Sequence, residues 1–528
     1  MRLDLMLLSL LLVLHLSACS TPSPRPVSLR DRLRAIPLTR APLAHPLTIR
    51  WNDYAVPYLQ AESDFDLAFG LGIVHAHLRG GQLAVLKRIS QGRISEMAGP
   101  YTTAIDHALR ILDLGRASPE IEAALPHDTR LWLERFTAGM NFYQEHTTAV
   151  PPEFNMLGIG WEPWSVRDVI TLSRLVGADV TWFVYFALLA ERRSAGRDEF
   201  IWQRLLETAA ASSLSFNPQD GDARFLQDII QAAAKSGSNS LVISPARSKS
   251  GGALIANDPH LGLQLPNFWI VAGVKSPSYH VVGMMPAGVP IFGIGRNPYL
   301  AWGGTNMRAA ASEIVDLSKI DPLTLQERRE VIKRRWWFDA LRTVRSSSFG
   351  PIISDVKFLR GRPGEVLALR WAGHDPSDEI SAFLRASRAT RPREFVAAFE
   401  AYGVSAQNLL FASATGEIGQ IMAARLPRRS GTAPTSFIRT PEECARDWAV
   451  PVRSLELPMV MNPRDGFLAS ANNRPAETPF FISPLFSDND RIDRLKELIR
   501  SRSVWCVEDL VMIQRDVFSK SALPLRDK

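Results

Sequence analysis

The sequence changes character close to residue 238, and this change limits the folds open to the chain. Before it, apolar residues recur at helical spacing; after it, short apolar runs alternate with turn residues, as in β-strands. The chain has 528 residues, of which 46% are hydrophobic, enough for a large core. Helices followed by many strands favour the α+β class, with one shared core rather than separate domains.

The elements can be placed on the chain in outline. Residues 46–60 predict a hairpin that turns at Asn52-Asp53. Helical spacing follows over residues 64–94, 126–145, 165–193 and 198–211, and a connector with one short helix covers 212–237. The strands predicted after that point are NSLVISP, ALIAN, NFWIVAGVK, YHVVGMM, YLAWGG, EIVDLSKI, VLALRWAG, NLLFASAT and EIGQIMAAR.

The N-terminus has the build of a secretion signal. An early arginine precedes an apolar run from Leu5 to Leu16, which is too short for a comfortable membrane span. The ending Leu16-Ser17-Ala18-Cys19 resembles a bacterial lipobox, which implies a signal peptide over 1–18 and lipidation of Cys19. Plain secretion or an uncleaved anchor is the alternative. Residues 19–45 begin Pro-rich and predict a tether, so we expect a body held at the cell envelope, at the outer membrane facing the periplasm.

Charge and cysteine content exclude several classes of function. Lys plus Arg outnumber Asp plus Glu by 61 to 54, but the excess is dilute and forms no long basic stripe, so nucleic acid is not an expected partner. Neither a zinc-type Cys/His spacing nor a phosphate-binding GxxxxGK[ST] loop is present. Cys444 and Cys506 could pair in an exported chain, but their spacing leaves the question open.

Short strings typical of penicillin-recognising serine enzymes also occur. They are Ser354 with Lys357, the triplet 487–489 and the triplet 249–251. Their order along the chain is wrong, and Ser354 does not open a helix, so we set this class aside. A GxSxG elbow is absent as well, which argues against an α/β-hydrolase triad.

Gly237, Ser238 and Asn239 stand where the first strand begins. A serine hydroxyl is a poor nucleophile until a base takes its proton. If the chain is cut before Ser238, the freed α-amine can be that base, since its pKa of about 7.7–8.0 suits neutral pH. Gly237 has no Cβ, which lets the backbone adopt the geometry that cutting needs. The stretch is therefore a candidate self-cutting site, with a plain connecting loop as the alternative.

Five blocks of the sequence, in order, resemble the penicillin acylase family of N-terminal nucleophile hydrolases from about residue 46 to the end. The resemblance implies a four-layered αββα fold, made as a precursor and cut between Gly237 and Ser238. Residues 46–211 would form the N-terminal chain, 212–237 the spacer and 238–528 the nucleophile chain, so that the mature protein is a heterodimer of its own two chains. The blocks are VPYLQAESDFDLAFGLGIVHAHLRGGQLAVLKRISQGRISEMAG, GSNSLVISPARSKSGGALIANDPHLGLQLP, PAGVPIFGIGRNPYLAWGGTN, NPRDGFLASANNRP and DNDRIDRLKELI.

Roles follow from the resemblance residue by residue. Ser238 matches the nucleophile and His260 a position beside its amine. Asn306 matches the residue whose backbone N–H faces the developing oxyanion, and Asn472 the side-chain donor to the same oxygen. Arg491 matches an arginine that orients the site. Turn formation or a solvated surface position is the structural alternative for each of the last four.

The sequence also departs from the family pattern. Relatives often bind calcium through a Glu of the N-terminal chain and acidic residues shortly after the position of Asn306. Here the matching helix carries aromatic residues near that Glu position, and the stretch after Asn306 begins with few acids. We therefore expect no cofactor and no metal, with a structural calcium ion as the alternative. Relatives also continue beyond the position of Lys528, which predicts a compact variant or a C-terminally truncated copy.

The resemblance implies an amide hydrolase that transfers an acyl group to Ser238 and then to water. Its substrate would be a small amide with an apolar acyl group, as in a penicillin amidase. An acyl-homoserine-lactone acylase would share the same site residues and is the alternative within the class. An inactive surface lipoprotein that keeps the fold is the alternative from another class.

Overall fold

The structure is a computed structural model that describes residues 27–192, 196–208, 220–233, 237–262, 264–430 and 433–523. Predictions for the signal peptide, for Cys19, and for residues 212–219 and 234–236 of the 212–237 connector therefore lie outside the described residues. The helices are α1 (Leu29–Arg34), α2 (Asp64–Ser90), α3 (Ser95–Ala98), α4 (Thr103–Leu112), α5 (Ser118–Ala124), α6 (His127–His146), α7 (Pro152–Leu157), α8 (Val166–Val176), α9 (Trp182–Glu191), α10 (Arg197–Thr208), α11 (Gly221–Ala233), α12 (Glu379–Arg388), α13 (Pro392–Ala398), α14 (Pro441–Trp448), α15 (Asn489–Arg500) and α16 (Val507–Gln514).

The first two strands form the predicted hairpin, and all the other strands lie from Gly237 onward. They are β1 (Leu47–Trp51), β2 (Pro57–Ala61), β3 (Gly237–Ile243), β4 (Leu254–His260), β5 (Trp269–Lys275), β6 (His280–Pro286), β7 (Ile294–Arg296), β8 (Leu300–Asn306), β9 (Ser312–Asp316), β10 (Gln326–Ile332), β11 (Ala340–Ser347), β12 (Gly350–Pro351), β13 (Leu367–Trp371), β14 (Gln407–Ser413), β15 (Ile418–Ala423), β16 (Ile438–Arg439), β17 (Val460–Met461) and β18 (Phe467–Ser470).

Two sheets form the centre of the molecule. The large sheet has the order β1-β2-β5-β6-β7-β8-β14-β15-β17, and the small sheet has β18-β3-β4. Strands β3 and β4 pack face to face on β8 and β14. Between the sheets, Thr305 and Ser470 share a hydrogen bond of 2.8 Å, and Asn408 Nδ2 donates to Ser470 Oγ at 2.9 Å. These polar contacts fix how the sheets lie on one another.

Helices cover the outer face of each sheet. On the large sheet, α2 packs against β2 and against α6. The two helices approach closely at glycines, since a Cβ at Gly72 would lie 2.0 Å from the Phe136 carbonyl oxygen. On the small sheet, Leu241 and Ile243 are buried in one apolar cluster with side chains of both α15 and α16. These side chains are Leu495 and Ile499 of α15, and Leu510 and Ile513 of α16. The layer order is thus helix, sheet, sheet, helix, which confirms the predicted αββα fold.

Two predictions need correction. The single helix expected over 165–193 is two helices, α8 and α9. The break lies at Asp179, whose carboxylate accepts from the Thr181 N–H at 2.9 Å and from Ser312 Oγ at 2.7 Å; such side-chain bonds compete with helix continuation. The second half of the predicted tether packs on the body, because the N–H groups of Ala44 and His45 both donate to Asp66.

Other features bear on the sequence predictions. Cys444 is buried, Cys506 is half-buried, and both are free thiols. Within the described ranges, no helix has the length and apolarity needed to cross a bilayer.

Candidate active site

Ser238 is the second residue of β3, the central strand of the small sheet. Side chains alternate along a strand, so Ser238, Ser240 and Val242 face the large sheet, whereas Leu241 and Ile243 face α15 and α16. Ser238 is completely buried. The strand therefore holds the hydroxyl rigidly between the two sheets.

Each polar atom of the Gly237-Ser238 peptide group has a hydrogen-bond partner. Ser238 Oγ donates to the Gly237 carbonyl oxygen at 2.5 Å. The Ser238 backbone N–H donates to Asn472 Oδ1 at 2.7 Å. The hydroxyl thus lies against the carbonyl group of the bond that the sequence predicts to be cut.

Arg491, in the first turn of α15, connects the serine to its neighbours. One guanidinium nitrogen, Nη1, donates to the Ser238 carbonyl oxygen and to Asn239 Oδ1, both at 2.8 Å. The other, Nη2, donates to Asn472 Oδ1 at 2.9 Å. Burial lowers the pKa of Arg491, yet the group stays cationic at neutral pH. Arg491 therefore fixes both the serine and the asparagine.

Asn472 follows β18 and adopts a left-handed backbone conformation with φ of 62°, which Asn tolerates better than most residues. Its Nδ2 donates to the Asn306 carbonyl oxygen at 2.8 Å, which uses one of the two amide hydrogens. The Met307 N–H donates to the Ala406 carbonyl oxygen of the neighbouring chain segment. Successive residues of an antiparallel strand point their N–H and C=O groups in alternate directions, so those of Asn306 point away from β14 and toward Asn472. The two expected oxyanion donors are thus adjacent.

His260 lies across the small sheet from Gly237, its direct partner in the β3–β4 ladder. A Cβ on residue 237 would come within 3.2 Å of His260 Nδ1. The other ring nitrogen, Nε2, is 3.3 Å from Asp258 Oδ2. The structure therefore places His260 beside the residue that precedes the serine.

Arg308, two residues after Asn306, also belongs to the site, although no sequence motif pointed to it. Its backbone N–H donates to Asn306 Oδ1 at 2.8 Å, and its side chain borders a cavity of ≈ 630 Å³ that Gly237, His260 and Arg491 also line. Burial and the neighbouring Arg491 cation lower the pKa of Arg308 to about 10. The sequence feature that could have identified Arg308 is its position only two residues after Asn306.

The residues around Glu313 do not suit a calcium ion, because a cation of the chain already lies among their oxygens. The Arg429 guanidinium donates to Glu313 Oε1 and to the Ala310 carbonyl oxygen, both at 2.9 Å. Trp448 Nε1 also donates to Glu313, at 2.7 Å. Asp179 carries hydrogen bonds to neighbouring groups, and its pKa is raised by burial. No group of three or more acidic, His or Cys side chains in the described part of the chain could hold a metal.

Three groups of the site can take part in a reaction. They are the buried Ser238 hydroxyl against a peptide carbonyl, the Asn472 amide and the Arg491 guanidinium. The site brings Ser238, Asn472, Arg491 and Asn306 together, with His260 at the edge. Such an arrangement suits acyl transfer to the serine, because oriented amide donors can stabilise a tetrahedral oxyanion.

Comparison with known proteins gives one family. The penicillin amidase family matches residues 46–528. Acyl-homoserine lactone acylase QuiP of Pseudomonas aeruginosa is 25% identical over 90% of this chain and 60% of its own length. Penicillin acylase 2 proenzyme of a Pseudomonas species is 23% identical over 90% of this chain and 65% of its own length.

Penicillin G acylase of Escherichia coli is 23% identical over 85% of this chain and 62% of its own length. The chain therefore spans less than two thirds of the length of these curated relatives. Among solved structures, a thermostable penicillin G acylase from Alcaligenes faecalis aligns with a TM-score of 0.45 and 21% identity, over 52% of this chain and 51% of that one.

Proposed function

The chain belongs to the penicillin amidase family, and we propose that it is an amide hydrolase whose nucleophile, Ser238, is exposed by a cut that the chain makes itself. The observation that carries the proposal is the position of Ser238 Oγ, 2.5 Å from the carbonyl oxygen of Gly237. A hydroxyl at this distance lies against the carbonyl group whose carbon it would attack.

In the proposed cut, Ser238 Oγ attacks the Gly237 carbonyl carbon, the hydroxyl proton passes to the Ser238 nitrogen, and the peptide C–N bond breaks, leaving an ester and a free α-amine. Water then hydrolyses the ester, which releases the Gly237 carboxylate. Asn472 and Arg491 hold the nitrogen and the carbonyl of Ser238, so they would keep the strand in place while the bond is exchanged.

In the proposed hydrolysis, the free α-amine takes the Ser238 hydroxyl proton as Oγ attacks the substrate amide. The oxyanion would be stabilised by the Asn306 backbone N–H and by Asn472 Nδ2. The amine product leaves with a proton, and water then hydrolyses the acyl-serine ester by the same route. Arg491 acts as a positioning residue in both steps.

The proposed acyl site is a cavity of ≈ 70 Å³ between the large sheet and helices α8 and α12, at the end of β8 that also carries Asn306. It reaches Gly304 and Gln407, and Gln407 is the direct β14 partner of Asn306. Most of its lining is apolar, which favours a hydrophobic acyl group. The lining side chains include Phe268, Trp269, Val289, Ile291, Phe383 and Leu409.

The test is a hydrolysis screen with two substrate series, phenylacetyl amides and N-acyl amides of increasing chain length, in which the released amine is measured. We expect the parent to hydrolyse at least one series and Ser238→Ala to hydrolyse neither. Ser240→Ala is the matched control: it lies on the same strand face, and its hydroxyl has no hydrogen-bond partner among the described residues. A parent inactive on both series would favour a chain that keeps the fold without the activity.

We also propose that the protein is anchored to the cell envelope through lipidated Cys19, on the evidence of the Leu16-Ser17-Ala18-Cys19 sequence. Cys19→Ala should release the protein from the membrane fraction or block its maturation, whereas Cys506→Ala should fractionate like the parent. A Cys19→Ala protein that fractionates and migrates like the parent would contradict the anchor.

A further inference from the structure

The β10–β11 hairpin carries three consecutive aromatic side chains at its tip. Trp336, Trp337 and Phe338 are 71%, 62% and 84% exposed. Just below the tip, Val331 and Leu341 pair directly across the two strands, and both are exposed. Large apolar side chains that stay together at a surface mark an interaction site rather than scattered surface residues.

Cations flank the aromatic tip. The turn 333–339 contains Lys333, Arg334 and Arg335 against a single carboxylate, Asp339. Glu330, lower on the hairpin, is already paired with Arg110 at 3.0 Å. The surface that surrounds the aromatics is therefore positively charged.

The hairpin is held rigidly, so the tip projects in a defined direction. The Arg335 backbone N–H donates to the Ser95 carbonyl oxygen at 2.8 Å, and its guanidinium donates to the Met156 carbonyl oxygen at 3.0 Å. The same guanidinium stacks on Trp336, 4.1 Å from the ring centroid, and Trp336 in turn packs on Gly99. Because the tip is already ordered, binding costs it little additional conformational entropy.

We propose that this tip, residues 331–342, docks on the surface of a bilayer that contains anionic phospholipids. Tryptophan is enriched at the headgroup level of membranes, where its amphipathic ring is stable. Lys and Arg beside such rings attract anionic lipid headgroups over about a Debye length. Charge complementarity thus favours a bilayer over a second copy of this chain, whose matching face would carry the same positive charge. The docking is independent of the hydrolytic activity.

The experiment is cosedimentation with vesicles, using the full chain with Cys19→Ala so that no lipid on that residue can contribute. Vesicles of phosphatidylethanolamine and phosphatidylglycerol are compared with vesicles of phosphatidylcholine alone. We expect binding to the anionic vesicles, weakened by salt, with a blue shift of tryptophan fluorescence. Trp337→Ser/Phe338→Ser should lower the partition coefficient by at least about tenfold, since each ring loses its transfer out of water.

Two further variants make the result specific. Lys333→Gln/Arg342→Gln should weaken binding to anionic vesicles roughly fivefold for each charge removed, and it leaves the aromatic tip unchanged. Tyr54→Ser/Phe200→Ser removes two exposed aromatics elsewhere and should bind like the Cys19→Ala parent. Equal binding by the tip and control variants would overturn the proposal. It would also be overturned if the parent ignored both vesicle types, or if the tip variant only converted a dimer into a monomer in sedimentation velocity.

Discussion

Arg429→Met should destabilise the protein far more than removal of an ordinary surface charge. The guanidinium is 4% exposed, and its two hydrogen bonds of 2.9 Å go to Glu313 Oε1 and the Ala310 carbonyl oxygen. Bonds that involve a charged group contribute about 1.5–3 kcal/mol each. Removing one partner of a buried ion pair costs about 3–5 kcal/mol, because the remaining charge stays buried. We therefore expect a loss of about 3–5 kcal/mol, with Trp448 and the more distant Arg439 still beside Glu313.

The assay is equilibrium unfolding in urea, followed by circular dichroism, with Arg428→Met as the matched control. Arg428 is the preceding residue, and its ion pair with Glu456 is well exposed on both sides, so its loss should cost about 0–1 kcal/mol. Because Arg429 already supplies the positive charge, a calcium chelator should leave the thermal midpoint of the parent unchanged. A large drop in the thermal midpoint with chelator would contradict the prediction. So would a loss of stability for Arg429→Met no greater than that for Arg428→Met.

Three further predictions concern the site and the pH dependence. Asn472→Ala should lose about 2.7–4 kcal/mol of transition-state stabilisation in hydrolysis, measured as kcat/KM. The same variant should also slow the cut, because Asn472 accepts a hydrogen bond from the nitrogen of the bond to be cut. Asn473→Ala, at the next residue, should keep its activity. The rate of hydrolysis should fall as pH drops through about 7.7–8.0 or somewhat below, since a protonated α-amine cannot act as base. The midpoint can lie below that range because the nearby Arg491 and Arg308 cations oppose protonation of the amine. A flat profile down to pH 5 would contradict an amine base. Burial lowers the pKa values of His75 and His374 to about 3 and that of His77 to about 4. Below about pH 6.5 the unfolded chain therefore binds more protons than the folded one. The free energy of unfolding measured in urea should fall toward pH 4 by up to about 1.4 kcal/mol per pH unit for each histidine.

Local patterns predicted much of the architecture. The hairpin of β1 and β2, the long helix α2 and the strand that begins at Gly237 all follow from periodicity and turn residues, which depend on near neighbours in sequence. The break between α8 and α9 was missed because it depends on a bond from Ser312 to Asp179, 133 residues away.

The contacts of the site could not have come from periodicity. Ser238 and Asn472 are 234 residues apart, and the pairing of β18 with β3 brings them together. The position of Arg429 beside Glu313 likewise depends on a contact over 116 residues, and nothing near Arg429 in sequence distinguishes it from the exposed Arg428. The family resemblance named the site residues, whereas the hydrogen bonds among them come from the fold.

The proposed mechanism is that the chain cuts itself before Ser238 and then uses that residue's own amine and hydroxyl for hydrolysis. It is tested most directly by intact-mass analysis and N-terminal sequencing of the purified parent and of Ser238→Ala. We expect the parent to contain a chain that begins at Ser238 and is tightly associated with the N-terminal chain, and we expect Ser238→Ala to remain one uncut chain. A Ser238→Ala protein cut at the same bond, or an uncut parent that still hydrolyses amides, would contradict it.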